Sequence, residues 1–286
     1  MRKRDESYSS IVFLKLLRHR AAVVGLCLLI VEVILVVTLP PLMKLDPINS
    51  DYTAVNAAPG AGHLLGTDAI GRDIFARLVF GGRTSLLVGL LSTLISCLLG
   101  VPLGILAGYL RGRVETAVMR TADIFMSFPS IVIILVLVSV LGPSVWSVTL
   151  VIGVLGWTQF ARLIYGSVLS VTQEEYVTSA KAIGTRTLPT ILRYVLPNAV
   201  APILIALTLH LAEAILTESS LSFLGLGVQP PQASWGNMLH DAQSLTVLSR
   251  RPWIWLPPGI AILATVLSIN FLGDGLRDAI DPYMKT

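Results

Sequence analysis

Six apolar runs, at 21–43, 84–110, 124–141, 144–169, 196–216 and 253–272, constrain this chain more than any other feature in it. Each is close to or beyond the ~20 residues that a helix needs to cross about 30 Å of hydrocarbon. No water inside a bilayer can satisfy a bare backbone N–H or C=O, so runs of this kind cross as helices that close their own hydrogen bonds. Composition agrees. Hydrophobic residues make up 54% of the chain and charged residues 13%, about half the ~25% usual in a soluble domain. The mean hydropathy is +0.77. The expected fold class is therefore all-α, a polytopic membrane protein with six transmembrane helices. Cys27 and Cys97 both lie in apolar runs, which indicates two small buried hydrophobes rather than a disulfide or a metal site.

The first run follows a basic tail, residues 1–20, which carries Arg2, Lys3, Arg4, Lys15, Arg18 and Arg20. At 23 residues it reaches roughly 34 Å and exceeds the ~7–15 residues of a signal h-region; no small-residue cleavage site directly follows. It is read as a retained span. Six spans place both termini on one side. With that side cytosolic, fifteen of the 21 Lys and Arg residues lie inside. Lys44, Arg72, Arg77, Arg83, Arg250 and Arg251 lie outside, the asymmetry that sets membrane orientation. The expected divisions are a cytosolic tail 1–20, a first helix 21–43 and an extracytoplasmic segment 44–83. A five-helix core 84–272 follows, with a cytosolic hairpin 172–197 and an outer loop 219–252, and then a cytosolic tail 273–286.

The hairpin is the longest polar interruption in the second half of the chain. Residues 175–183 and 187–195 read as two short helices separated by Gly184, where a glycine relieves the left-handed backbone that ends a helix. Pro197 suits the first turn of the next helix, where a missing N–H costs little. A polar helical hairpin between two spans must dock on something in water. The outer segments are also long, and loops of such size are uncommon unless functional or disordered. Their aromatic, Gly and Pro content favours packed gates or a docking surface, with a partnerless structural lid as the plainer reading.

Charged residues near spans are weighed one by one. Glu32 sits in mid-span, where a charge costs ~2.5–3.5 kcal/mol, so a helix interface is expected around it. His210 and Glu213 share a helix face at i and i+3; with Glu218 they are candidates to line a translocation path or its outer gate, against a role as helix-packing polar groups. Arg120 and Asp123 are expected to pair with each other. Pro129, Pro202, Pro257 and Pro258 should bend their helices. Gly100, Gly104 and Gly108 recur every fourth residue on one face and permit a close helix crossing. No catalytic or metal site is indicated: the chain has no phosphate-binding loop, no H-E-x-x-H and no nucleophile elbow. A pore without an engine of its own points to a motor in another subunit.

Residues 162–198, RLIYGSVLSVTQEEYVTSAKAIGTRTLPTILRYVLPN, resemble the cytosolic "EAA" loop of ABC importer permeases, whose pattern is roughly E-A-A-x3-G-x9-I-x-L-P. Ala180, Gly184, Leu196 and Pro197 match it. Thr178, Ser179 and Tyr194 stand where the pattern has Glu, Ala and Ile, with Glu174 and Glu175 one helical turn upstream. GTDAIGRDIFARLVFGGRTSLLVG (66–89), MRTADIFMSFP (119–129), LSFLGLG (221–227), SWGNML (234–239) and NFLGDGLRDAIDP (270–282) are similar to the second permease subunit of dipeptide, oligopeptide and nickel importers. The likeness runs from Leu14 to Pro282 and implies the type I ABC importer permease fold in a bacterial inner membrane. It further implies a homologous permease, one or two ATP-binding subunits that use ATP and magnesium, and an extracytoplasmic solute-binding protein. No cofactor is implied in this chain, and no enzymatic activity. The implied cargo is a di- or oligopeptide, with nickel or a metal chelate as the alternative. A secondary transporter would show internal repeats, and none is found; a membrane anchor would need no polar path between spans.

Overall fold

The computed structural model describes residues 14–280; the tail residues Arg2, Lys3 and Arg4, together with Asp281 and Lys285, lie outside the described residues. Helix α1 spans Arg20–Met43 and is capped by His19, whose Nδ1 accepts from the Ala22 N–H at 3.2 Å. Helix α2 spans Ile74–Leu110. Helices α3 (Gly112–Met126) and α4 (Ser130–Leu141) meet at an 85° bend. Helices α5 (Val145–Leu155) and α6 (Trp157–Val171) form one span, Val145–Val171. The short α7 (Glu175–Ala182) leads to α8, Thr187–Phe223. Two six-residue helices, α9 (Trp235–His240) and α10 (Leu245–Arg250), precede the last span, α11 (Pro252–Ile280). Among the described residues only isolated bridges, Ser50 with Arg72 and Thr67 with Asp73, have strand character.

Five helices are each long and apolar enough to cross a bilayer, and the bent α3–α4 pair makes the sixth if it counts as one span. The bend falls at Pro129, which lacks an N–H and disfavours helix at the residue before it. Two boundaries differ from expectation. The second span begins ten residues before residue 84, because the Asp73 carboxylate accepts from the Ala76 N–H at 2.8 Å and starts the helix there. Residues 273–280 are not a tail but the end of α11, with Gly273 and Gly275 buried. His19 Nε2 lies 3.3 Å from Asp278 there, which closes α1 against α11. Helix α8 continues through Pro202, and α11 through Pro257 and Pro258.

The tightest crossing is between α2 and α6, along the glycine row. A Cβ on Gly104 would come within 2.6 Å of the Ala161 carbonyl, and one on Gly108 within 2.8 Å of Val168 Cβ. Backbone thus meets backbone, as small residues allow between helices in lipid. Helix α1 packs on α11 and α2. Its Pro40 and Pro41 cannot bond the carbonyls of Val36 and Val37, four residues earlier. Arg83 of α2 supplies the missing donors: its Nε donates to Val36 O and its Nη2 to Val37 O, the latter at 2.8 Å. Glu32 accepts from Thr265 Oγ1 at 2.7 Å, at the α1–α11 interface.

Residues 44–73 and 224–251, the two segments expected outside the membrane, pack together as a folded cap. Asp68 is nearly inaccessible (3% exposed). It accepts from the Ile70 and Arg72 backbone N–H groups and from Arg72 Nε at 2.7 Å. Its carboxylate also lies 3.6 Å from Arg77 Nε. Arg251 donates to Asn56 at 2.7 Å and so joins the two outer segments directly. Trp235 is buried and donates its indole N–H to Leu78 O at 3.0 Å. Ser234 and Asn237 close a capping box at the start of α9.

Candidate functional site

Two features of the core bear on function, and both involve α8. The first is the hairpin. Helix α7 ends with Gly184 at φ +80°, with the Thr185 N–H bonded to Ala180 O and the Gly184 N–H to Lys181 O, the wrapped geometry that a glycine C-terminus supports. Nothing crowds Gly184; the demand is purely on the backbone. Val177 and Ala180 turn inward, whereas Glu174, Glu175, Thr178 and Ser179 are exposed along with Ile183, which is 83% accessible. Lys181 Nζ sits 4.5 Å from the centre of the Tyr109 ring, and the Tyr176 and Tyr194 rings lie 6.2 Å apart. These contacts tie the hairpin to α2 and its two arms to each other.

The second arm does not stop before Pro197, as the sequence suggests. Residues Ile191–Val195 form a π-helical turn in which the Leu196 N–H bonds Ile191 O, and helix continues without a break to Phe223. Pro197 cannot donate to Arg193 O four residues back, so the helix takes up one extra residue just before it. Ile191 and Val195 are buried among Ile105, Ile164 and Val168, with Leu196 packed against the same cluster. The hairpin is therefore rigidly continuous with α8.

The second feature is a cleft beside α8, enclosing about 190 Å³. Phe125, Phe128 and Ile133 from the α3–α4 bend form its apolar side, and Gln159, His210 and Glu213 its polar side. Gln159 Nε2 donates to Glu213 Oε1 at 3.2 Å. His210 is 6% exposed, with Thr93 Oγ1 3.2 Å from its Nδ1 and its ring 5.2 Å from that of Phe160. His210 and Glu213 thus share the cleft. Glu218 does not reach it. It is wholly buried and accepts from Ser85 Oγ at 2.9 Å and Ser222 Oγ at 2.7 Å. Those serines in turn accept from the Trp235 and Val228 backbone N–H groups, so Glu218 anchors the cap to α2 and α8.

Gln159 escaped the sequence reading because one amide in an apolar run carries no periodic signal. Asp123 pairs with Arg162 of α6 rather than with Arg120, since the bend at Pro129 sets α3 against α6. In the cap, burial, with Asp68 nearby, raises the Asp241 carboxyl above its ordinary value, while Arg77 and Arg72 oppose that shift.

Apolar helices long enough to span a bilayer, one pair of them sharply bent, define the fold class of a multi-pass helical membrane protein. The fold is that of the MetNI methionine ABC transporter in inward-facing conformations. One such structure aligns with a TM-score of 0.61 and 17% identity over 72% of this chain and 97% of that one. A family model described as "Binding-protein-dependent transport system inner membrane component" matches residues 100–286, and one for the "N-terminal TM domain of oligopeptide transport permease C" matches residues 7–59. The chain belongs to this family of ABC importer permeases and is a multi-pass membrane protein. It is 44% identical to a putative peptide permease of Brucella suis, over 94% of this chain and 89% of that one. It is 39% identical to the dipeptide transport system permease protein DppC of Alkalihalophilus pseudofirmus, over 96% and 90%. With the glutathione transport system permease protein GsiD of Pectobacterium atrosepticum it shares 38%, over 82% and 78%.

Proposed function

We propose that the chain is one half of the pore of an ATP-driven, binding-protein-dependent importer of di- or oligopeptides, oriented with both termini in the cytosol. A homologous permease completes the pore, ATP-binding subunits seat the hairpin at the exposed Glu174, Glu175, Thr178 and Ser179, and a solute-binding protein delivers cargo to the cap. The observation that carries this reading is the unbroken helix from Thr187 to Phe223. It joins the exposed hairpin to the residues His210 and Glu213 in the cleft. A push on the hairpin is then felt at the cleft, and a ligand biases such a two-state device only through its unequal affinity for the two states. Relatives named as peptide, dipeptide and glutathione permeases support the cargo class.

Gly184→Pro tests the coupling. Proline fixes φ near −65° where this turn holds +80°, so α7 loses its seat while the spans are untouched. The variant should insert and assemble normally yet lose most peptide uptake in vesicles containing the partner subunits. Undiminished uptake would remove the hairpin from the mechanism.

A further inference from the structure

We propose that Glu213 makes the cleft a cation-selective station that receives the protonated amine of a passing peptide; this rests on the reading of the cleft as part of the path. The cleft wall carries one carboxylate, that of Glu213, and no lysine or arginine. Arg162, one turn along α6 from Gln159, is turned away onto Asp123. His210 is buried against Thr93 and Phe160. Gln159 donates to one carboxylate oxygen of Glu213, and the other oxygen has no protein partner among the described residues. The amide orients the carboxylate without neutralising it.

An exposed carboxylate on a membrane helix is costly unless it serves an interface or a path. Here it borders Phe125, Phe128 and Ile133 across the opening. A primary ammonium fits this surround: it donates up to three hydrogen bonds, takes the open Glu213 oxygen, and is attracted by aromatic faces. An anionic group is repelled by the like charge of Glu213, the one carboxylate on the wall. The station therefore distinguishes peptides by the sign of the group they present.

The test uses the complete transporter in proteoliposomes. Thr217, one helical turn from Glu213 on the same wall, is changed to cysteine after Cys27→Ser and Cys97→Ala substitution. Its modification by a cationic and an anionic methanethiosulfonate reagent is compared, each rate normalised to a small free thiol. A unit charge a few ångströms away in a partly aqueous site changes each rate severalfold, in opposite directions, so the cationic reagent should win by roughly tenfold. E213Q should bring that ratio close to one and E213D should keep it. A second arm compares uptake of Ala-Ala-Ala with its N-acetylated form, which lacks the ammonium, at saturating solute-binding protein; E213Q should shrink that preference in parallel. A ratio near one with Glu213 present, or a ratio unmoved by E213Q, overturns the proposal and leaves the path reading standing. If Thr217→Cys reacts with neither reagent, the cleft is dry and both fall. If E213Q does not assemble, the ratio with Glu213 present and with E213D decides.

Discussion

At the scale of single residues, the consequential positions hold polar groups in apolar surroundings or admit no side chain. Gly156, where α5 passes into α6, is of the second kind. A Cβ there would fall onto His210 Nε2 and Ser96 Oγ. Gly156→Ala must therefore displace the histidine from its place beside Thr93, with an overpacking cost of about 1–3 kcal/mol. The transporter should assemble with a lowered melting temperature and altered uptake, read by thermal unfolding in detergent and vesicle transport. Glu218 is of the first kind. Glu218→Ala leaves the hydroxyls of Ser85, Ser219 and Ser222 without their acceptor and a hole in the α2–α8 contact, together worth about 2–4 kcal/mol. The cap should loosen first, so proteolysis at residues 224–233 would accelerate before the spans melt. Equal protection in the variant would show that Trp235 alone holds the cap. The sequence marks Glu218 as a charge within a span but cannot say which way it faces. Its partners, Ser85 and the residues after Ser222, come from distant segments, and so its role emerges only in three dimensions.

At the scale of elements, span positions were legible because they follow from one-dimensional apolarity, and the hairpin because Gly184 punctuates it. Two things were not. The sequence shows that Pro129 interrupts the third run but not that the interruption is an 85° turn, since the angle depends on what α4 packs against. Nor does it show that Pro197 extends a helix rather than starting one, because a proline at a helix start and one after a π-helical turn look alike in sequence. The turn makes a prediction. Pro197→Ala restores an N–H for Arg193 O and allows an ordinary α-turn, which removes the extra residue and rotates the hairpin by about 100° relative to the cleft wall. The complex should still form, while peptides imported per ATP hydrolysed should fall severalfold. An unchanged ratio would make the turn a passive accommodation of proline.

At the scale of the whole molecule, the outer segments act as one lid built over α2, with Asp68, Arg77, Asn237 and Asp241 at its seam. Because burial raises the Asp241 carboxyl, the folded cap holds this proton more tightly than the unfolded chain does. Stability from this group is present on the acid side and is lost as pH rises through its raised value. Protease protection of the cap should therefore weaken as pH rises above the ordinary carboxylate range, and Asp241→Asn should flatten that dependence. A profile that the substitution does not alter would assign it to another group. Charge asymmetry and span number, readable from the sequence, bear on orientation. The joining of the two segments was not readable, because it depends on pairs such as Arg251 with Asn56, 195 residues apart in the chain.

The fork from Arg83 to the carbonyls of Val36 and Val37 has a consequence for biogenesis. When α1 first leaves the ribosome, its two prolines leave a pair of bare carbonyls with no donor in the surrounding lipid. The group that covers them is synthesised only later, at the start of the apolar stretch of α2. Until then the nascent helix is an incomplete membrane segment. Entry of the two segments together, as a hairpin, would satisfy these carbonyls before they met hydrocarbon.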